Sequence, residues 1–205
     1  MITHHPSDPT VAAYAAGTLP EGLALVVATH LAACPHCRSL SYALDSVGGV
    51  MLEDLSPAAM APDALDLALA RSERPMPPPS VAPSANPELP PPLDRCSFGP
   101  WWRVGAGIRW RPLRIGGSAW AGLLQVAPGR SLPRHGHDGP ELTCVLRGAF
   151  KDSDGRYTAG DVAEPESEDD HQPWVDGTEP CLCVIASEGM RLRGLLGLAQ
   201  RLLGR

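Results

Sequence analysis

The first 72 residues read as helical, and short strand-like apolar runs follow from about residue 93 onward, so the hydrophobic pattern itself divides the chain. Asp8-Pro9 predicts an N-cap followed by proline at the first helical position; Ala12, Ala13, Tyr14 and Ala15 favour that helix, and Gly17 stops it. Pro20-Glu21 opens a second helix through Leu23, Leu25, Val26, Val27, His30 and Leu31. It closes at Cys34-Pro35, because proline disfavours helical geometry in the residue before it, and Cys34 becomes the N-cap of a third helix. That helix carries Leu40, Leu44, Val47 and Met51 on one stripe. Gly48-Gly49 interrupts it at about 1 kcal/mol per glycine relative to alanine, marking either a helix end or kink, or the close approach of a partner's backbone. A fourth helix runs from Pro62 to Arg71 with Leu65, Leu67 and Leu69. So small a domain cannot cover all these side chains, and Leu40, Leu44, Val47, Met51, Leu65 and Leu69 form the expected partner-binding face.

Downstream, Trp120 to Val126, Leu142 to Leu146 and Leu182 to Ile185 are short runs of strand formers bounded by Gly, Pro or Asp, which predicts a small β-barrel or jelly roll. The fold class is therefore α+β in separate domains. Between the halves, Glu73 to Pro92 holds nine prolines in twenty residues, a composition that favours extended polyproline II and blocks helix or central strand. The expected boundaries are 1–72, 73–92 and 93–205. At about 3.1 Å per residue the linker could separate the halves by up to roughly 60 Å, leaving them to move independently or to fold back onto one partner.

The chain has 205 residues and a net charge of −6, which argues against nucleic acid as a direct partner. No run reaches the roughly 18 apolar residues of a membrane span, and the N-terminus lacks the order of a secretory signal; a cytoplasmic location is expected. The helical part up to Arg71 has seven carboxylates and two arginines, which suits a basic protein partner.

Two sets of metal-ligating residue types stand apart in the sequence. His5, His30, Cys34 and Cys37 combine two thiolates with two imidazoles, the donor set of a closed zinc site; His4 or His36 is an alternative to a neighbouring ligand. Cys34 and Cys37 fall on the first turn of the third helix, where the macrodipole stabilises thiolates, and His30 hangs from the last turn of the second. His135, His137, Glu141 and His171 form the second set, with His135 and His137 on one strand face and Glu141 again facing the same way. Three imidazoles and a carboxylate suit zinc or another divalent metal with a coordination position left open. Glu164, Glu166, Glu168, Asp169 and Asp170 make an acidic approach to His171. Cys181 and Cys183 share a strand face with Cys144 expected nearby, as inert buried thiols or as a redox trio. Met190 to Arg205, with four arginines and a leucine stripe, reads as a segment packed on the barrel or as an interfacial helix.

Gly129-x5-His135-x-His137-x3-Glu141-x6-Gly148 resembles the first cupin motif without departure. Gly160, Pro165 and His171 resemble the second, although its inner Pro-x-Gly is absent and Val175 stands where asparagine is usual. His30-x3-Cys34-x2-Cys37, with His5 upstream, resembles the zinc-binding anti-sigma domain, and the pairing with a cupin resembles the ChrR-type anti-sigma factors. The resemblance implies a helical zinc domain that binds an extracytoplasmic function (group IV) sigma factor, in a 1:1 complex, and keeps it inactive. It further implies a cupin that senses singlet oxygen or organic hydroperoxide and releases sigma, with no catalysis. The rival reading is a metal-dependent cupin dioxygenase or isomerase with a helical accessory domain.

Overall fold

The second helix is apolar on every side, so it has to be buried on more than one side. The computed structural model describes residues 1–73, 84–165 and 171–192. Its helical half comprises α1 (Asp8–Ala15), α2 (Glu21–Ala33), α3 (Pro35–Glu53) and α4 (Ala64–Ser72). Ser7, one residue before the expected Asp8, caps α1: its backbone is extended, and its Oγ accepts from Thr10 N–H at 3.3 Å. Cys34 is extended and caps α3 with Pro35 in the first turn, and the chain turns through 118° between α2 and α3. Contrary to one expectation, α3 does not end at Gly48-Gly49, and among the described residues nothing beyond the helix's own adjoining backbone lies within 4 Å of a Cβ at either glycine. α4 starts two residues later than expected and has no buried residue.

The second half is built of β1 (Trp102–Gly105), β2 (Ile108–Pro112), β3 (Trp120–Val126), β4 (His135–His137), β5 (Glu141–Arg147), β6 (Ala149–Lys151), β7 (Arg156–Thr158), β8 (Val162–Ala163), β9 (Trp174–Val175), β10 (Cys181–Ser187) and β11 (Met190–Leu192). All pairings are antiparallel, in sheets ordered β1-β2-β3-β10-β5-β8, β7-β6-β9 and β11-β4. Alternation gives the large sheet two apolar faces. Val126, Val145, Cys181 and Cys183 point inward to Phe150, Tyr157 and Val175. Leu123, Leu142, Cys144, Val184 and Ala186 point outward, and α2 covers them with Leu23, Val26, Val27 and Leu31. The cupin motif's last glycine is needed at Gly148, which has φ 77° and would place a Cβ 2.6 Å from Pro180 O.

The two halves therefore share one core instead of hanging from an extended tether. Gly22 marks the closest approach: a Cβ there would stand 3.1 Å from both Ala121 Cβ and Ile115 Cδ1. Part of the expected linker also packs. Asn86 donates its backbone N–H to Asp94 O and its side-chain amide to Cys96 O, both at 2.9 Å, and Leu89 is buried in the shared core beside Leu93, the first residue of the expected barrel half. Residues 74–83 lie outside the described residues, as do 166–170 and 193–205. Of the C-terminal segment read as packed on the barrel or as an interfacial helix, Met190–Leu192 form strand β11, paired with β4. Among the described residues no single helix is long and apolar enough to cross a membrane.

Replacing Gly22 by valine should force α2 off the sheet and lower stability by about 1–3 kcal/mol, the cost of overpacking a filled contact. Denaturant unfolding of the full chain measures this, and an unchanged midpoint would contradict the shared core.

Candidate metal centres

At the α2–α3 corner, His30 ends one helix and Cys34 and Cys37 begin the next, so three donors converge before tertiary structure is considered. His5 comes in from the N-terminal arm: its Nδ1 lies 3.4 Å from His30 Nε2, 3.5 Å from Cys34 Sγ and 3.3 Å from Cys37 Sγ. All four ligand atoms fall within 4.8 Å of one another. His30 Nδ1 lies 2.8 Å from the carbonyl of Gly160; a carbonyl only accepts, so the imidazole proton sits on Nδ1 and Nε2 offers its lone pair to the cluster. Burial and the adjacent Cys34 thiol push the Cys37 thiol up to about 12. Without a cation this thiol stays protonated; a zinc ion would compensate the charge of such a buried sulfur pair. His36 packs its ring edge-on to His5, with centroids 5.4 Å apart, and His4 turns away to Tyr157 at 4.5 Å. Neither joins the cluster.

The barrel site has a different donor set and is built on strands. β4 presents His135 and His137, β5 begins with Glu141, and His171 joins through a two-way backbone bridge to His135, 3.1 and 2.9 Å. His171 pairs as an isolated bridge and not as part of a longer strand. The four side chains are buried, and their ligand atoms also lie within 4.8 Å of one another. His171 Nε2 is 3.1 Å from His135 Nε2, and Glu141 Oε2 is 3.3 Å from His137 Nε2. The His135 Nδ1–H donates to Pro133 O at 2.8 Å, which again turns Nε2 inward. Burial pushes the Glu141 carboxyl up to about 7, against the opposing pull of His171 and a hydrogen bond from Ser187. A divalent cation fits this set: it would supply the positive charge that the buried carboxylate lacks.

Several neighbours were not legible as site residues. Asp152 stands 3.5 Å from His171 Nδ1 and is itself held by the N–H groups of Asp154 and Gly155. A pocket of about 40 Å³ adjoins His135, Glu141 and His171, and a wider cavity of about 810 Å³ opens outside it between Val104, Ile108, Trp110, Trp120, Leu132 and His135. Glu164, expected in an acidic approach to His171, instead accepts from Ser7 N–H at 2.7 Å and Ser7 Oγ at 3.1 Å; residues 166–170 lie outside the described residues. Cys181 and Cys183 have sulfurs 3.5 Å apart in the barrel interior. Cys144 lies on the opposite face of the sheet, under α2, so the three do not form one cluster. The adjacent Cys181 thiol, with burial, raises the Cys183 thiol well above its ordinary value.

On the helical side, α3 presents an apolar face and α4 a set of leucines that stay exposed among the described residues. Val47, Val50, Met51 and Leu52 on α3 and Leu65, Leu67 and Leu69 on α4 are at least half exposed, as are Leu55 and Met60 between them. Of the predicted partner-binding residues, Leu40 and Leu44 are half-buried nearer the corner, while Val47, Met51, Leu65 and Leu69 are exposed.

A zinc-finger corner of helices docked on a cupin-like barrel defines the class, and comparison with known proteins agrees. Residues 10–38 match the model of a putative zinc-finger family and residues 95–190 that of the ChrR cupin-like domain. The anti-sigma-E factor ChrR of Cereibacter sphaeroides is 41% identical over 192 residues, covering 91% of this chain and 90% of the relative. The crystal structure of Rhodobacter sphaeroides SigE in complex with the anti-sigma ChrR contains a chain that superposes with a TM-score of 0.79 at 39% identity, covering 91% of this chain and 99% of that one. The chain belongs to the ChrR family of anti-sigma factors, which are regulators and not enzymes.

Metal analysis of the purified protein should give two equivalents per chain. Cys37→Ser should remove the helical one and His137→Ala the barrel one, each sparing the other; retention of both by either variant would contradict the assignment. Because the Cys37 proton has to leave before sulfur binds metal, zinc affinity at the helical site should fall as pH falls. A pH series of chelator competition measures the slope, and no slope would remove the thiolate from the site.

Proposed function

We propose that this protein binds and inhibits an extracytoplasmic function sigma factor through its helical half and releases it when the barrel half registers oxidative stress. The exposed apolar face of α3, with the exposed leucines of α4, carries the reading, in a chain related over both halves to an anti-sigma factor crystallised with its sigma factor. Large contiguous apolar surface is costly to leave in water and marks a protein interface. His5, His30, Cys34 and Cys37 hold zinc and fix the angle between α2 and α3, which orients that face. Residues 1–72 are the holding unit and 93–205 the sensing unit. Action on a sigma factor sets the compartment as the cytoplasm.

His135, His137, Glu141 and His171 hold zinc or another divalent metal, which supplies a Lewis-acidic centre when bound. The chain's own residues turn two imidazole lone pairs inward, bury the carboxylate and leave a small pocket beside the ligands. The wider cavity shares Leu124, Leu132, His135 and Ile185 with the lining of that pocket. Singlet oxygen or an organic hydroperoxide is the proposed signal, and the small inner pocket excludes bulky groups from the ligands themselves. To shift the population of the complex decisively, the signal has to cost it about 3 to 5 kcal/mol.

Co-expression with candidate extracytoplasmic function sigma factors should yield a 1:1 complex under reducing, zinc-replete conditions. Cys34→Ser should abolish copurification. His135→Ala should copurify normally and release sigma more slowly when oxidant is added. Failure to copurify any sigma factor would overturn the proposed function, and full oxidant response in a chain lacking the barrel site would overturn the sensing role.

A further inference from the structure

The helical zinc site is incomplete without the barrel. His5 lies on an arm with no helix of its own, and the barrel segment from Gly160 to Glu164 grips that arm on both sides of it. Upstream, the buried Asp161 Oδ1 accepts the backbone N–H groups of Thr3 and His4 at 2.7 and 3.0 Å, and Val162 N–H donates to His4 O at 3.1 Å. Ile2 packs on Gly160, where even a Cβ would stand 2.7 Å from its side chain. Downstream, the Glu164 carboxylate takes Ser7 N–H and Ser7 Oγ. The same segment reaches a second ligand, since Gly160 O fixes the proton and ring orientation of His30.

We propose that the barrel segment Gly160–Glu164 is a positioning element of the helical zinc site, holding His5 and His30 in ligating geometry from outside the helical half. The proposal rests on the reading of His5, His30, Cys34 and Cys37 as the zinc ligands. Asp161 is the centre of the grip. Besides Thr3 and His4 it accepts from Thr158 N–H at 2.7 Å and Thr158 Oγ1 at 2.8 Å. Burial alone would raise its carboxyl, but these hydrogen bonds outweigh that and take it down to about 2; it is a fixed anion at any physiological pH. Since chain entropy opposes holding an unsupported arm in one place, loosening this segment frees His5 first and leaves zinc with three ligands. Zinc retention, and with it the sigma-binding corner, thereby becomes sensitive to displacement of the barrel.

Cobalt(II) in place of zinc provides the probe, because only the helical set contains thiolates and only it gives a thiolate-to-cobalt absorption band. In the full chain, Asp161→Ala should speed chelator-driven loss of that band by about tenfold or more, the usual scale for removing an outer partner of a metal ligand. Glu164→Ala, a change at an exposed side chain that leaves the barrel core untouched, should speed it by a smaller factor. Barrel metal content and the protein's unfolding midpoint should stay at wild-type values in Glu164→Ala, separating positioning from general loss of structure. Wild-type rates in both variants would overturn the inference and leave the zinc reading standing. Absence of the thiolate band in the wild-type protein would overturn the zinc reading itself.

Discussion

Burial of α2 on two sides is the constraint from which the remaining arrangement follows. Leu23, Val26, Val27 and Leu31 cannot all be covered by a few short helices, and the outward face of the β3-β10-β5 sheet is equally apolar. Each surface removes the other from water, at about 25 cal/mol per Å² of apolar area, and Gly22 lets them meet without a gap. Once α2 lies on the sheet, its last turn carries His30 to the Gly160 turn, and the N-terminal arm is brought beside β8.

The two metal-ligand sets differ in donor chemistry and share a manner of support. One places two cysteine sulfurs at a helix start, a donor pair that suits a site whose work is to hold an angle. The other is all nitrogen and oxygen on strand ends, beside a pocket and below a wider cavity. In both, a backbone carbonyl fixes a ligating imidazole by taking its outer proton, Gly160 O for His30 and Pro133 O for His135. The chain between β6 and β8 touches both sets: Asp152 contacts His171, and Gly160 contacts His30. The two clusters are thus joined through packed protein, with Gly155 close under the His4 ring.

Both clusters of ligand-type residues were legible in the sequence because ligand chemistry restricts residue type and spacing together. Cys34-Pro35 announced the corner, and the period of two around His135 announced the strand. The supporting partners were not legible. Gly160 and Pro133 act through carbonyls that every residue possesses, and the His30–Gly160 contact spans 130 positions. Glu164 looked like part of an acidic run, since its sequence neighbours are acidic, while its actual partner is Ser7, 157 residues away. The described part of the proline-rich stretch, 84–92, forms neither helix nor strand, yet composition gave no sign that Leu89 and Asn86 would pack, or that the docked face of α2 would cancel the independence of the halves. Cys144 was grouped with Cys181 and Cys183 by residue type alone; strand parity puts it on the other face.

The central claim is that one surface holds sigma while the barrel remains free to sense. Amide hydrogen exchange of the full chain, with and without its sigma factor, tests this most directly. Sigma binding should slow exchange in the second half of α3 and in α4, and leave β1 to β4 around the barrel mouth unchanged. Protection confined to the barrel mouth, with α3 and α4 exchanging as fast as in the free protein, would contradict it.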